Sequence, residues 1–163
     1  MLIVIMGVSG SGKSTLGGAL AGALGWDFQE GDDLHSSESI AKMQTGIALD
    51  DADREPWLAG IAHWMSMQSE RGRSGVVSCS ALRRRYRDQL RAADADVRFV
   101  YLRVSRDALE RRMLQRQHFM PASLLQSQLS SLEEPELDEH VLELSGNLAL
   151  DDAIRDIRAC VDR

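Results

Sequence analysis

The chain begins with an unbroken apolar run, Leu2-Ile3-Val4-Ile5-Met6, followed at once by glycine. A run that is apolar at every position, not every second one, predicts a central parallel strand covered on both faces. Glycines crowd positions 7 to 12. The small-residue stretch from Lys13 to Leu24 then predicts a helix, which Gly25 ends in a left-handed cap. The same reading places short strands at 26–30, 75–78, 97–102 and 141–144. Helices are expected over 36–43, 53–70, 84–93, 107–116, 121–132 and 150–161, with Asp53 as an N-cap and Pro56 in a first turn, where proline is tolerated. Strands alternating with helices predict an α/β three-layer sandwich around a five-stranded parallel sheet. No linker composition interrupts the pattern, so residues 1–163 are expected to form one domain.

Composition narrows the class. Of 163 residues, 44% are hydrophobic and 27% charged, as in an ordinary globular protein. A net charge of −6 argues against a general nucleic-acid binder, yet arginines gather at 83–91 and 103–116 and can outweigh the global balance locally. Two cysteines, Cys79 and Cys160, form no disulfide framework and fit a reducing cytoplasm. No apolar run approaches the ~20 residues of a membrane helix. The apolar start has neither a basic leader nor a small-residue cleavage site, and reads as a strand, not a signal peptide.

The chemistry enters at Gly7-Val8-Ser9-Gly10-Ser11-Gly12-Lys13-Ser14, which satisfies G-x-x-x-x-G-K-[ST] between a buried strand and a helix. Glycines let the backbone curl until its N–H groups converge on phosphate oxygens, and the helix adds the positive end of its dipole. Lys13 would place a charge on the β- and γ-phosphates and Ser14 would ligate Mg²⁺, so ATP with Mg²⁺ is the expected ligand pair. The expected nucleotide contacts are Gly7, Ser9, Gly10, Ser11, Gly12, Lys13, Ser14 and Thr15, with Arg112. The third strand runs out in Ser78-Cys79-Ser80 and the fourth in Leu102-Arg103, so neither ends in the carboxylate that many P-loop hydrolases use. A small-molecule kinase fits this pattern better than a motor or switch.

An acceptor site then needs an acid from elsewhere. Gln29-Glu30-Gly31-Asp32-Asp33-Leu34-His35 follows the second strand, and loops at strand carboxyl ends line the crevice of an open α/β sheet. Asp32 is the expected catalytic base and a second Mg²⁺ ligand, with His35 beside it; a plain acidic turn is the alternative. Arg54 has the fork that pairs with a carboxylate or phosphate, and Trp57 and Trp64 share a helix face that reads as core. In Cys79-Ser80-Ala81-Leu82-Arg83-Arg84-Arg85-Tyr86-Arg87-Asp88, Arg87 is the expected substrate ligand and Cys79 a packing residue. Arg112, Arg116 and His118 sit where a helix gives way to a connection. Arginines on such a flap neutralise charge on the transferred group, which makes Arg116 catalytic and puts His118 with the substrate side. Ser145-Gly146-Asn147 is either an adenine-side loop or a simple turn.

These segments together resemble the gluconokinases of the shikimate-kinase-like P-loop group. The resemblance runs from the phosphate loop through Gly31-Asp32-Asp33-Leu34-His35, Lys42-Met43 with Gly46, Leu49-Asp50-Asp51, Asp53-Arg54 and Pro56-Trp57-Leu58. It continues through Cys79-Ser80-Ala81-Leu82, Tyr86-Arg87-Asp88, His118-Phe119-Met120, Leu124-Leu125, Ser127-Gln128 and Leu132-Glu133 with Pro135. It implies ATP-dependent phosphorylation of D-gluconate to 6-phosphogluconate in a cytoplasmic homodimer of nucleoside-monophosphate-kinase-like fold. A substrate-binding region is implied near 31–60 and a helical lid near 112–130. It makes Asp32 the base and His35, Lys42, Arg54, Arg87 and Gln128 the gluconate pocket. Two departures are Arg83 in place of lysine and a short spacing from Arg116 to His118. A shikimate kinase would be expected to carry glycines where Cys79-Ser80-Ala81 stand, and a nucleoside kinase would favour an aromatic slot in a chain that is only 5% aromatic. A slow nucleotide-dependent switch is the reading from another class.

Overall fold

The computed structural model describes residues 1–115 and 122–161, with side chains for 1–112 and 123–161. Five strands, β1 (Leu2–Met6), β2 (Asp27–Glu30), β3 (Gly75–Ser78), β4 (Val97–Arg103) and β5 (Leu142–Ser145), form one parallel sheet in the order β2-β3-β1-β4-β5. The helices are α1 (Lys13–Leu24), α2 (Ser37–Gln44), α3 (Asp51–Glu70), α4 (Arg84–Arg91), α5 (Arg106–Gln115), α6 (Ala122–Ser131) and α7 (Leu150–Val161). The expected sandwich is therefore present.

Strand β1 is central, and its alternation divides the core. Leu2, Val4 and Met6 face Trp57, Leu58 and Ile61 of α3 with Tyr86 and Leu90 of α4, while Ile3 and Ile5 face Leu16 and Leu20 of α1 with Ile157 of α7. Burial on both faces explains why β1 is apolar throughout. A smaller cluster of Val8, Leu82, Leu109 and Leu125 seats α5 and α6 against the end of the sheet that bears the phosphate loop.

One helix start differs from the expectation because of its cap. Helix α3 starts at Asp51 because Asp50, not Asp53, is its N-cap; Asp53 is the reciprocal partner in a capping box. The segment Gly31–Leu34, expected as a loop, is a turn of 3₁₀-helix whose Gly31 N–H donates to Ser78 Oγ and whose Asp32 N–H donates to the Glu30 side chain. Gly25 does end α1 in the left-handed region, at φ 67°. Among the described residues no helix is long and apolar enough to cross a membrane.

Candidate active site

The phosphate loop leaves β1 through Gly7, whose φ of 146° suits glycine alone, and any Cβ there would lie 2.9 Å from Ser11 Oγ and 3.0 Å from the Leu102 carbonyl. The Gly7 N–H donates to the Ser80 carbonyl at 3.4 Å and the Ser11 N–H to Val8 at 3.2 Å, which closes the curl. Lys13 leads α1 and its Nζ donates to the Val8 carbonyl at 3.0 Å, arching the side chain over the loop. Ser14 and Thr15 are exposed at the helix start.

Beside the loop lies a cavity of about 350 Å³, lined by Gly10, Gly12, Thr15, Arg112, Gly146 and Leu148 among others, within the size range of small-molecule sites. The Arg112 guanidinium joins its two walls. It donates to the carbonyls of Gly10 and Ser11, both at 3.2 Å, to Gly146 at 2.6 Å and to Asn147 Oδ1 at 3.0 Å. The loop Ser145-Gly146-Asn147 is thus a wall of this cavity. Ser11 Oγ is buried without a hydrogen-bond partner among the described groups, an orphan inside the phosphate loop itself. These groups fit a nucleoside triphosphate. No group of three or more His, Cys, Asp or Glu among the described residues could cage a metal. That fits Mg²⁺, which is usually held by one or two protein oxygens and substrate phosphates instead of an all-protein cage.

On the other side of Lys13 a second, tighter cavity of about 60 Å³ brings together Ser9, Lys13, Asp32, His35, Arg54 and Gln128. The turn after β2 presents Asp32 with its side chain 76% exposed and His35 with its side chain only 5% exposed. The imidazole stacks on Trp57, ring centres 4.4 Å apart and 11° from parallel. Burial lowers the His35 pKa, Arg54 adds to the effect and Asp32 opposes it. His35 is therefore neutral at neutral pH. Its Nε2 lies 3.8 Å from Asp32 Oδ1, and its buried Nδ1 has no partner among the described groups.

Arg54 is half-buried, with its guanidinium carbon 5.9 Å from the Tyr86 ring centre. Among the described residues no carboxylate lies within ion-pair distance of Arg54. Gln128, from α6, closes the cavity, its Oε1 accepting the Ser9 N–H at 2.7 Å. The arrangement offers a carboxylate to take a proton, a guanidinium to hold an anion, and polar groups for hydroxyls.

Two residues expected at the substrate stand outside the cavity lining. Arg87, expected to touch substrate, is fully buried and spends its guanidinium on Glu139, at 2.6 and 2.7 Å, and on the carbonyls of Ala81 and Glu133. Fully enclosed and with four of its five N–H groups bonded inside the protein, Arg87 lines neither cavity. Lys42 is likewise engaged, its Nζ 2.6 Å from Asp53 Oδ1, and it does not line the cavity. Arg116 and His118 lie outside the described residues. Cys79 behaves as a packing residue, its thiol fully enclosed and pushed up to about 12 by burial. Arg83 stands 3.5 Å from Asp51, in a group completed by Arg85 and the Tyr86 hydroxyl that holds the Asp51 carboxyl down at about 2.

Sequence reasoning also missed contributors. Trp57, taken as core, lines the cavity as well and donates its indole N–H to the Gly31 carbonyl at 2.7 Å. The available signal was that a buried tryptophan needs a partner for that N–H. Met43, Leu49 and Leu124, which belong to the segments carrying the resemblance but take no role from it, add apolar wall.

An AAA domain family model matches residues 2–135. A gluconokinase of Gluconobacter oxydans (strain 621H) is 48% identical over 162 residues, covering 96% of this chain and 91% of that protein. The chain belongs to the gluconokinase family. Among solved structures, a gluconokinase from Sinorhizobium meliloti 1021 superposes with a TM-score of 0.87 at 46% identity, covering 96% of this chain and 89% of that one. An unliganded sugar kinase from Janibacter sp. HTCC2649 gives 0.93 at 44% identity, covering 99% and 94%. The likeness spans both cavities and the turn that carries Asp32, as expected of a gluconokinase family member.

Proposed function

We propose that the protein transfers the γ-phosphoryl group of ATP to the 6-hydroxyl of D-gluconate, giving 6-phospho-D-gluconate and ADP. The observation that carries this reading is the cavity beyond Lys13, which Asp32, neutral His35 and Arg54 line together with Ser9 and Lys13 of the phosphate loop. The names of the family relatives supply the substrate.

Asp32 accepts the proton of the attacking hydroxyl, the hydroxyl oxygen bonds to the γ-phosphorus, and the bond from that phosphorus to the bridging oxygen breaks to release ADP. Lys13 and the loop N–H groups hold the phosphates in line. Ser14 and Asp32 would hold Mg²⁺, which neutralises charge on those phosphates. Arg54 binds the gluconate carboxylate by its fork, while His35 Nδ1 and Gln128 meet hydroxyls. A lid near 112–130 that closes over the 31–60 region is part of the proposal. In this reading Arg116 neutralises charge on the transferred group and His118 serves the substrate side. A cytoplasmic homodimer belongs to the same proposal, and sedimentation of the purified protein tests the dimer.

The test is ADP release with gluconate, shikimate, other sugar acids and nucleosides offered in turn. Stimulation by gluconate well above all others is expected. Equal release with no acceptor would replace the kinase by a slow nucleotide hydrolase.

A further inference from the structure

The carboxylate proposed as base sits on a short turn, its side chain 76% exposed and one oxygen 3.8 Å from His35 Nε2. The backbone of that turn is anchored from the buried side. The Gly31 N–H donates to Ser78 Oγ at 3.1 Å, and Ser78 in turn donates to Glu30 Oε1. The Asp32 N–H reaches the same Glu30 oxygen at 3.5 Å. The Gly31 carbonyl accepts from Trp57 Nε1 at 2.7 Å, and the Asp32 carbonyl accepts the His35 N–H at 3.2 Å. The Cβ direction of Gly31 ends 2.0 Å from the Ser78 carbonyl, so the turn is pressed against the end of β3 with no slack.

Trp57 addresses both polar groups of the cleft. Its N–H edge holds the peptide immediately before Asp32, and its ring face carries His35. It is 3% exposed and anchored in α3 within the main core, so it transmits the rigidity of that core to the turn. We propose that Trp57 is a positioning residue for the phosphoryl-transfer step, acting through Asp32, with Ser78 as the second anchor of the same turn. The assignment rests on the proposed role of Asp32 as base.

Trp57→Phe keeps an aromatic ring beside His35 and removes the N–H donor together with part of the buried indole volume, an effect that the double-mutant comparison and the melts below separate from the lost donor. The expected result is a kcat about 10-fold lower at saturating gluconate, with KM for ATP unchanged, since small misplacements of a reacting group lower rates by factors of about 10 to 100. The deciding measurement is the same substitution in an Asp32→Asn background. A residue acting through Asp32 then lowers the residual rate by no more than about 2-fold, because the two changes are not additive. Ser78→Ala, a smaller change, is assayed in parallel as a second route to the same loosening, with thermal melts checking that each variant is folded. Wild-type kcat in both Trp57→Phe and Ser78→Ala, with Asp32→Asn impaired, overturns the positioning role alone. The same 10-fold loss in both backgrounds overturns it too, because that marks a general structural effect. An unimpaired Asp32→Asn removes the base assignment and the positioning role together.

Discussion

Truncating Glu139 to alanine strands a guanidinium in the interior. In the intact protein Arg87 and Glu139 are both fully buried, joined by two hydrogen bonds of 2.6 and 2.7 Å, with the second edge of Arg87 on the Ala81 and Glu133 carbonyls. Glu139 also accepts the Glu136 N–H at 3.1 Å, so the pair ties α4 to the chain after α6 and to the turn at Leu137–Glu139. The magnitude can be reached by two routes. Arg87, first among its partners, holds the Glu139 carboxyl at about 2 against an ordinary 4.5. At 1.36 kcal/mol per unit this amounts to about 3 kcal/mol. Breaking a buried pair from one side generally costs about 3–5 kcal/mol, which agrees.

At about 2–4 °C per kcal/mol for a chain of this size, Glu139→Ala is expected to lower Tm by about 6–20 °C. Activity assayed at low temperature should stay within about 2-fold of wild type, because neither residue lines a cavity. Arg87→Met should behave similarly, and pairing it with Glu139→Leu should recover much of the loss. The carboxyl is depressed, so its contribution is complete above 4.5 and disappears as pH falls from 4.5 to about 2. The assay is thermal unfolding paired with gluconate kinetics. An Arg87→Met protein with unchanged Tm and a gluconate KM raised 10-fold or more would refute this reasoning and return Arg87 to the substrate.

Arg54→Ala should raise the gluconate KM by about 10- to 100-fold and leave the ATP KM alone, as expected for losing a charged hydrogen-bond donor; steady-state kinetics with each substrate varied checks this. Gly31→Ala forces a methyl onto the Ser78 carbonyl and should reduce kcat by more than 10-fold, read by the same assay with a melt to show that the protein folds. Burial lowers the His35 pKa, so its stabilising contribution is present above about 6.5 and is lost as pH falls through the lowered value. Urea unfolding at pH 8 and pH 5.5 should show a larger acid loss for wild type than for His35→Phe, and parallel losses would contradict the assignment.

What the sequence disclosed follows from how local each signal is. The phosphate loop was legible because its glycines, lysine and serine are contiguous and their spacing is itself the mechanism. The strand β1 was legible because burial on both faces leaves no polar position in it. Asp32 was a candidate because it follows β2 at the carboxyl end of the sheet, and Arg54, in the first turn of α3, because its fork suits an anion. Arg87 was misread because its partner Glu139 is 52 positions away and no local pattern connects them. The N-cap of α3 was misplaced by three residues because Asp50 and Asp53 cap each other, and either alone looks like a cap. The hold of Trp57 on Gly31 spans 26 positions and became visible only when α3 was packed under the turn.

The central claim is that this cleft moves phosphate from ATP to gluconate. The most direct measurement follows ADP and phosphogluconate together in one reaction, for wild type and for Asp32→Asn. One phosphogluconate is expected for each ADP, with no appreciable ADP without gluconate and a kcat lower by about 10²-fold or more in Asp32→Asn with ATP affinity retained. ADP formed at the same rate with and without gluconate, or an Asp32→Asn enzyme as fast as wild type, would contradict the claim.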